Sequence, residues 1–254
     1  MNLRILGCSG GVGPGLRTTS LLLDHDVLID ACSGIGDLTL DEMTGIRHIF
    51  ITHSHLDHVA FIPLFLDSIF DRVTAPIVLH GQRATLAALK AHVFNGVMWP
   101  DFAELPHPDR PVLRYVEMKP GAVSTIGNKS LEMIPVNHAV SGVGYRVIGD
   151  NGVFAFSGDT TTNDTLWNAL NKHDRLDLLI VEAAFVNEDQ ELSRLARHYT
   201  PQLLAQDIAK LRHDPEVCIT HRKPGDEKKI LEECLAAMPD RRIRGLSGNE
   251  RFEL

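Results

Sequence analysis

The sequence predicts a single α/β domain over residues 1–254, and three observations carry that prediction. Short apolar runs of strand length alternate with longer segments whose apolar residues recur every three to four positions. Several short runs are joined by turn signals that fit hairpins, among them Asp24-His25-Asp26, Gly127-Asn128 and Asp150-Asn151-Gly152. Polar, metal-competent residues stand directly after several of the runs, most densely in Thr52-His53-Ser54-His55-Leu56-Asp57-His58. That cluster cannot pack into an apolar core without partners, yet Ile49, Phe50 and Ile51 precede it and Val59, Ala60, Phe61 and Ile62 follow it. It belongs at a strand end where a helix begins.

In chain order, residues 3–6 form a strand-like run ending in the turn-prone Gly7-Cys8-Ser9-Gly10-Gly11-Val12-Gly13-Pro14-Gly15. A dinucleotide fingerprint would need glycine at position 16 and a following helix. Position 16 is leucine, and residues 18–23 and 27–30 form a hairpin pattern instead. Turn chemistry accounts for these glycines, with a backbone approach to phosphate as the alternative. Asp30 closes the hairpin, where it either orients a ligand histidine or caps the next loop. After the histidine motif, 59–70 has the pattern of one apolar helix, 75–80 of a strand and 82–95 of a helix. The aromatic loop from Phe94 to Phe102 is a candidate dimer contact or a fold-back onto the body, with nucleobase stacking as a further reading. Three prolines make 106–111 a connection.

Strand-like runs resume at 112–118, 122–126 and 130–136, the last delivering His138. Residues 143–148 and 153–156 form a hairpin that ends in Ser157-Gly158-Asp159-Thr160. A helical pattern at 162–172 precedes a buried strand at 176–181, which ends in Glu182-Ala183-Ala184. Helical segments follow over 189–196 and 202–211, the second opened by Thr200-Pro201 with His198 just ahead of it. Residues 216–220 form a strand that presents His221, 226–238 a closing helix, and Arg241, Arg242 and Arg244 a solvated basic cluster.

The 44% hydrophobic content suffices for a sizeable core in one domain. No apolar leader or run approaching the ~20 residues of a membrane helix is present, which predicts a soluble, cytoplasmic protein without a membrane partner. The four cysteines lack C-x-x-C spacing and suggest neither a disulfide framework nor a zinc knuckle. A net charge of −8 argues against binding long nucleic acids through many phosphates, but not against a small anionic nucleotide held by metal ions.

Taken together, the donors at the strand ends are too many for one ion. They suit two zinc-like ions with open positions for water, the arrangement that clamps the attacking and leaving oxygens of a displacement. The pattern H-x-H-x-D-H, a later lone histidine, the aspartate of Ser-Gly-Asp-Thr and a final histidine resembles the metallo-β-lactamase superfamily across essentially the whole chain. That resemblance implies a four-layer αββα sandwich built from two related halves. It also implies that His53, His55 and His138 bind one ion, that Asp57, His58 and His221 bind a second, and that Asp159 bridges them. Two divalent ions are expected, zinc by preference with manganese or iron as alternatives.

Within the superfamily, Glu182 and His198 resemble the glutamate and histidine that Z-type tRNA-processing ribonucleases place beside their metals, with the histidine as proton donor. Asp57, His198 and Glu182 are therefore the expected catalytic residues. Leu6 to Gly11, Arg17-Thr18-Thr19-Ser20, Phe156 to Asp164 and Ile219-Thr220-His221 with Lys223-Pro224-Gly225 are most similar to the class II-like 3′,5′-cyclic-nucleotide phosphodiesterases. The implied reaction is hydrolysis of the cyclic phosphodiester to a 5′-monophosphate; a homodimer is expected, with Phe94 to Phe102 as its candidate contact. The alternatives are a tRNA 3′-processing endoribonuclease or a lactonase, thioesterase or β-lactamase of the same fold. A di-iron oxygen-reducing protein would need a glutamate in place of His55 and a flavin domain, and a non-catalytic module would have lost ligands.

Overall fold

A computed structural model describes residues 1–254. The first half comprises β1 (Asn2–Gly7), β2 (Ser20–Leu23), β3 (Val27–Ile29), α1 (Leu40–Gly45), β4 (His48–Phe50), α2 (Leu56–Val59), α3 (Ile62–Ser68), β5 (Ile77–Gly81), α4 (Arg83–His92), β6 (Pro106–His107), β7 (Arg110–Pro111) and β8 (Leu113–Glu117). The second comprises β9 (Val123–Ile126), β10 (Lys129–Val136), β11 (Gly142–Ile148), β12 (Val153–Phe156), α5 (Thr165–Leu170), β13 (Leu178–Glu182), α6 (Gln190–Ala196), α7 (Pro201–Ile208), β14 (Glu216–Thr220), α8 (Glu227–Ala237), β15 (Ile243–Gly245) and β16 (Arg251–Glu253). Two seven-stranded sheets result, in the orders β16-β1-β2-β3-β4-β5-β8 and β15-β14-β13-β12-β11-β10-β9.

Period-two alternation in the strands creates three apolar spaces and hence four layers. Leu3, Ile5, Leu21, Leu23, Val27, Ile29 and Phe50 of the first sheet face Leu131, Met133, Tyr145, Phe154, Phe156 and Ile180 of the second. The intervening Leu22, Leu28, Ile49 and Leu79 point outward onto Ile62, Phe65, Leu66, Leu86 and Leu89 of α3 and α4. On the far side Leu179, Val181, Val217 and Ile219 pack against Leu166, Trp167, Leu204, Ile208 and Ile230 of α5, α7 and α8. This is the expected αββα sandwich. The strands that carry most of the polar cluster, β4, β12, β13 and β14, each have a parallel neighbour, and they are buried on both faces, so their C-terminal ends open onto one edge of the sandwich.

Several local expectations are corrected. The single helix expected over 59–70 is broken into α2 and α3, because Pro63 lacks an N–H and is tolerated only in the first turn of a new helix. Helix α2 starts at Leu56, ahead of the expected Val59, which puts Asp57 and His58 in its first and last turns. Helix α1 was not anticipated, although Thr39 and Glu42 form a reciprocal capping box. The proline-rich connection pairs with itself as the ribbon β6–β7. Phe94 and Phe102 are buried in the outer core and Trp99 packs against it, so the aromatic loop folds back rather than offering its rings to a base. The basic cluster is not simply solvated: Arg241 donates to the carbonyls of Ile208, Leu211 and His213, and Arg244 pairs with Glu216 and Glu250.

At the end of the sandwich away from the histidine motif, Lys129 at the start of β10 crosses to the β2–β3 turn. Its side chain is 4% exposed, and the ammonium lies 2.8 Å from Asp24 Oδ2 and 3.0 Å from Asp26 Oδ1. Burial would raise the Asp24 carboxyl, but the Asn2 N–H and Lys129 outweigh it and hold its pKa below the ordinary value. A carboxylate lowered in the folded state stabilises above its unfolded pKa, and that contribution is lost as pH falls through the lowered folded value. Lys129→Met is expected to destabilise by about 1–3 kcal/mol at neutral pH, since it strands two partly buried carboxylates. Urea titrations at stepped pH should show the gap from wild type closing toward acid; a gap constant with pH would remove the ion-pair explanation.

Candidate metal centre

The C-terminal ends of four strands and the start of one helix bring the candidate ligands together. His53, His55, His138 and Asp159 offer one donor atom each within 4.8 Å of one another, and Asp57, His58, Asp159 and His221 form a second such group. Asp159 belongs to both. It is 2% exposed, with Oδ2 lying 3.2 Å from His58 Nε2 and 3.7 Å from His53 Nε2, and Oδ1 lying 3.3 Å from His221 Nδ1. His138 Nε2 is 3.1 Å from His55 Nδ1, and His221 Nε2 is 3.6 Å from Asp57 Oδ2.

The imidazoles are aimed from behind. Asp30 Oδ1 accepts from the Thr52 N–H (2.8 Å), while Oδ2 accepts from His58 Nδ1 (2.6 Å) and from the Thr52 hydroxyl (2.8 Å). Thr52 Oγ1 in turn lies 3.0 Å from His53 Nδ1, which donates to it. His138 Nδ1 donates to the Arg197 carbonyl at 3.0 Å. Each bond occupies the far nitrogen, which turns Nε2 of His53 and His58 toward Asp159 and Nε2 of His138 toward His55. Asp30 thus takes the orienting alternative foreseen for it, from a left-handed backbone (φ 55°) that turns the chain at the end of β3. His221 also has a left-handed backbone (φ 57°), and Gly10 must pass against it: a Cβ on Gly10 would lie 2.3 Å from the His221 carbonyl oxygen. That close approach is a structural reason for glycine in the N-terminal loop.

The donor chemistry fits divalent metal ions. His53 Nε2, His58 Nε2 and both ring nitrogens of His221 are buried without a hydrogen-bond partner, and each such atom costs about 1–3 kcal/mol unless it binds something. Burial pushes the His138 and His221 imidazoles down to about 4 and about 3, and His53 well below its usual value, so these rings are neutral and their lone pairs available. For His58 burial acts in the same direction, but Asp159 and Asp30 on its two sides hold it well above the usual value. A mixed set of imidazole nitrogens and carboxylate oxygens suits zinc, manganese or iron.

Glu182 and His198 adjoin this centre, and a donor atom of each lies within 4.8 Å of one on Asp159. Glu182, fully buried at the end of β13, accepts from Thr160 N (2.9 Å), Tyr199 N (3.2 Å) and His198 Nδ1 (2.7 Å). The His198 ring stacks on His221 at 5.2 Å and meets His138 edge-on at 5.0 Å. Burial alone would strip its proton, but Glu182 and then Asp159 raise its pKa above the ordinary value.

All nine residues expected at the site are therefore brought to one place. Sequence reasoning missed the relay role of Thr52 and the Arg197 carbonyl. The first stood inside the motif, adjacent to a ligand candidate; the second acts through its backbone and leaves no mark in side-chain chemistry. Asp30→Asn sets an amide where the site needs an acceptor for His58. It should weaken metal retention about 10–100-fold, measured by metal analysis after dialysis against graded chelator. Retention equal to wild type would show that Asp30 does not orient the ligand.

A family model described as "Beta-lactamase superfamily domain" matches residues 25–221. The 3′,5′-cyclic-nucleotide phosphodiesterase of Aliivibrio fischeri is 27% identical over 92% of this chain and 86% of its own length. A probable 3′,5′-cyclic-nucleotide phosphodiesterase of Yersinia pestis is 28% identical over 73% of this chain and 61% of its own. Among solved structures, unliganded yeast PDE1 superposes with a TM-score of 0.81 over 98% of both chains at 17% identity, a likeness of fold. The match across most of the sequence, the αββα layers and the paired donor groups at the sheet edge agree: the chain belongs to the beta-lactamase superfamily and has the metallo-β-lactamase fold.

Proposed function

We propose that this metal-dependent hydrolase is a phosphodiesterase that opens a 3′,5′-cyclic nucleotide to the 5′-monophosphate. The observation that carries the reading is the buried Glu182–His198 pair set against Asp159, a proton donor placed beside a metal centre. The names of the Aliivibrio fischeri and Yersinia pestis relatives support the same substrate class. His53, His55 and His138 would hold one divalent ion and Asp57, His58 and His221 a second, with Asp159 between them. Two such ions, zinc by preference and manganese or iron otherwise, would supply a water nucleophile at neutral pH and neutralise the phosphoryl group.

The chain's own residues then handle the leaving group. With Nδ1 committed to Glu182, the proton on His198 Nε2 is the one available to substrate. As the bond from phosphorus to the 3′ oxygen breaks, that proton passes to the departing oxygen. Glu182 stabilises the imidazolium beforehand, and the Thr160 and Tyr199 N–H groups keep the carboxylate in place. Asp57, 31% exposed, sits on the open side of the centre, where it can contact the attacking water. A small nucleotide also suits a chain of net charge −8 better than the long polyanion of a tRNA-processing ribonuclease, which would use the same residues. We place the enzyme in the cytoplasm as a homodimer, for which the exposed Val97 and Met98 at the tip of the aromatic loop are the candidate contact.

His198→Ala should lower kcat for cyclic AMP by about 10²–10⁴-fold while metal content stays that of wild type. Glu182→Gln should lower it in the same direction by less. Unchanged turnover in His198→Ala would take this residue out of the reaction. The assay should run cyclic AMP, cyclic GMP, a 2′,3′-cyclic nucleotide, a precursor tRNA and a β-lactam in parallel on zinc- and manganese-loaded enzyme. Cleavage of the tRNA alone would replace the proposal with the ribonuclease reading.

A further inference from the structure

Beside the metal centre lies a groove of about 410 Å³ lined by Asn137, Thr161, Thr162, Arg194, Arg197 and Leu203. Three of its lining residues are close chain neighbours of the site: Asn137 precedes His138, Thr161 follows Asp159 by two residues, and Arg197 precedes His198. At ~3.8 Å per residue, the Cα atoms of these three stand within one or two residue lengths of those of a metal ligand or the proton donor. Two arginines line it, and neither guanidinium has a carboxylate within 4.0 Å. Arg197 gives one N–H to the His138 carbonyl at 2.9 Å, and the Arg194 side chain makes no hydrogen bond within the protein. Uncompensated positive charge of this kind is notable on a chain of net charge −8. In the groove behind Cys8, by contrast, Arg17 is paired with Asp37 and Arg222 is bonded to the carbonyls of Glu227 and Leu246. Planar forks flanked by threonine hydroxyls match a tetrahedral, multiply charged oxyanion.

We propose that the Arg194–Arg197 groove is a phosphate subsite, occupied by a second phosphate of a nucleotide whose diester is cleaved at the metal centre. The assignment of the occupant to the substrate rests on the phosphodiesterase reading; the existence of the phosphate site does not. Nucleotides that carry a terminal phosphate beside the scissile diester would then be held at two points, and a cyclic mononucleotide at one.

The test uses manganese-loaded wild type and Arg194→Glu, an exposed position whose fold is checked by the thermal melt. Substrates are a dinucleotide bearing a 5′-phosphate and bis(4-nitrophenyl) phosphate, which has no second phosphate. Inorganic phosphate is titrated separately into both loaded proteins by calorimetry. A KM for the phosphorylated dinucleotide raised about tenfold in Arg194→Glu, with the KM for bis(4-nitrophenyl) phosphate unchanged, supports the substrate's own phosphate as occupant. If only calorimetry differs, with wild type binding one more phosphate per chain than the variant, the site stands and its occupant is free phosphate. Equal KM values together with equal phosphate binding would overturn the proposal. Failure of wild type to cleave any diester would sink the phosphodiesterase reading, and calorimetry would still decide the groove.

Discussion

Asp159 is a carboxylate buried to 2% exposure where the ends of two sheets meet, and a buried charge persists only among opposite charges or donors. Here the surroundings are imidazoles, four of whose ring nitrogens have no other partner. The rest of the site can be read as the means of keeping those rings in place. Asp30, Thr52 and the Arg197 carbonyl hold the far nitrogens, so that the near ones cannot turn away. Two of these holding residues, Asp30 (φ 55°) and Arg197 (φ 56°), and the ligand candidate His221 (φ 57°) have left-handed backbone, a conformation tolerated where packing and hydrogen bonds over-determine it.

Those constraints require both halves of the fold. His53, His55, Asp57 and His58 come from the first sheet and its helix, while His138, Asp159 and His221 come from the second. A shift between the sheets would pull the donor groups apart. The Val143 N–H bonded to the Thr52 carbonyl, the Tyr145 hydroxyl bonded to the Ile51 carbonyl and the His221 N–H bonded to the Cys8 carbonyl tie the sheets together at this edge. Lys129 ties them at the other. Glu182 and His198 come from still other segments, one a strand end and the other the loop before α7, and they meet at a carboxylate that the Tyr199 and Thr160 N–H groups also hold.

Much of this was legible in the sequence, for physical reasons that can be named. Apolar runs followed by histidine or aspartate mark strand ends, so the positions of His53 to His58, His138, Asp159 and His221 carried their own context. The αββα layering and the pairing of Glu182 with His198 were legible through family resemblance, since neither follows from spacing alone. The supporting contacts were harder to see. Pro63 marked the break between α2 and α3, and Thr39 with Glu42 marked the start of α1, yet both signals are local and were overshadowed by apolar periodicity. Arg241 lay in an evident basic cluster, but its role as a donor to the carbonyls at and just after the end of α7 depends on tertiary placement. The grip of Arg197 on His138 runs through a backbone oxygen, which every residue possesses.

If Asp159 is the shared anchor of the centre, its charge should govern both metal groups at once. The direct measurement is metal stoichiometry per chain, by elemental analysis of wild type and Asp159→Asn after identical loading and dialysis. The account predicts two ions per chain in wild type and loss of both together in the variant. A wild-type chain that retains a single ion, or a variant that still retains two, would contradict it.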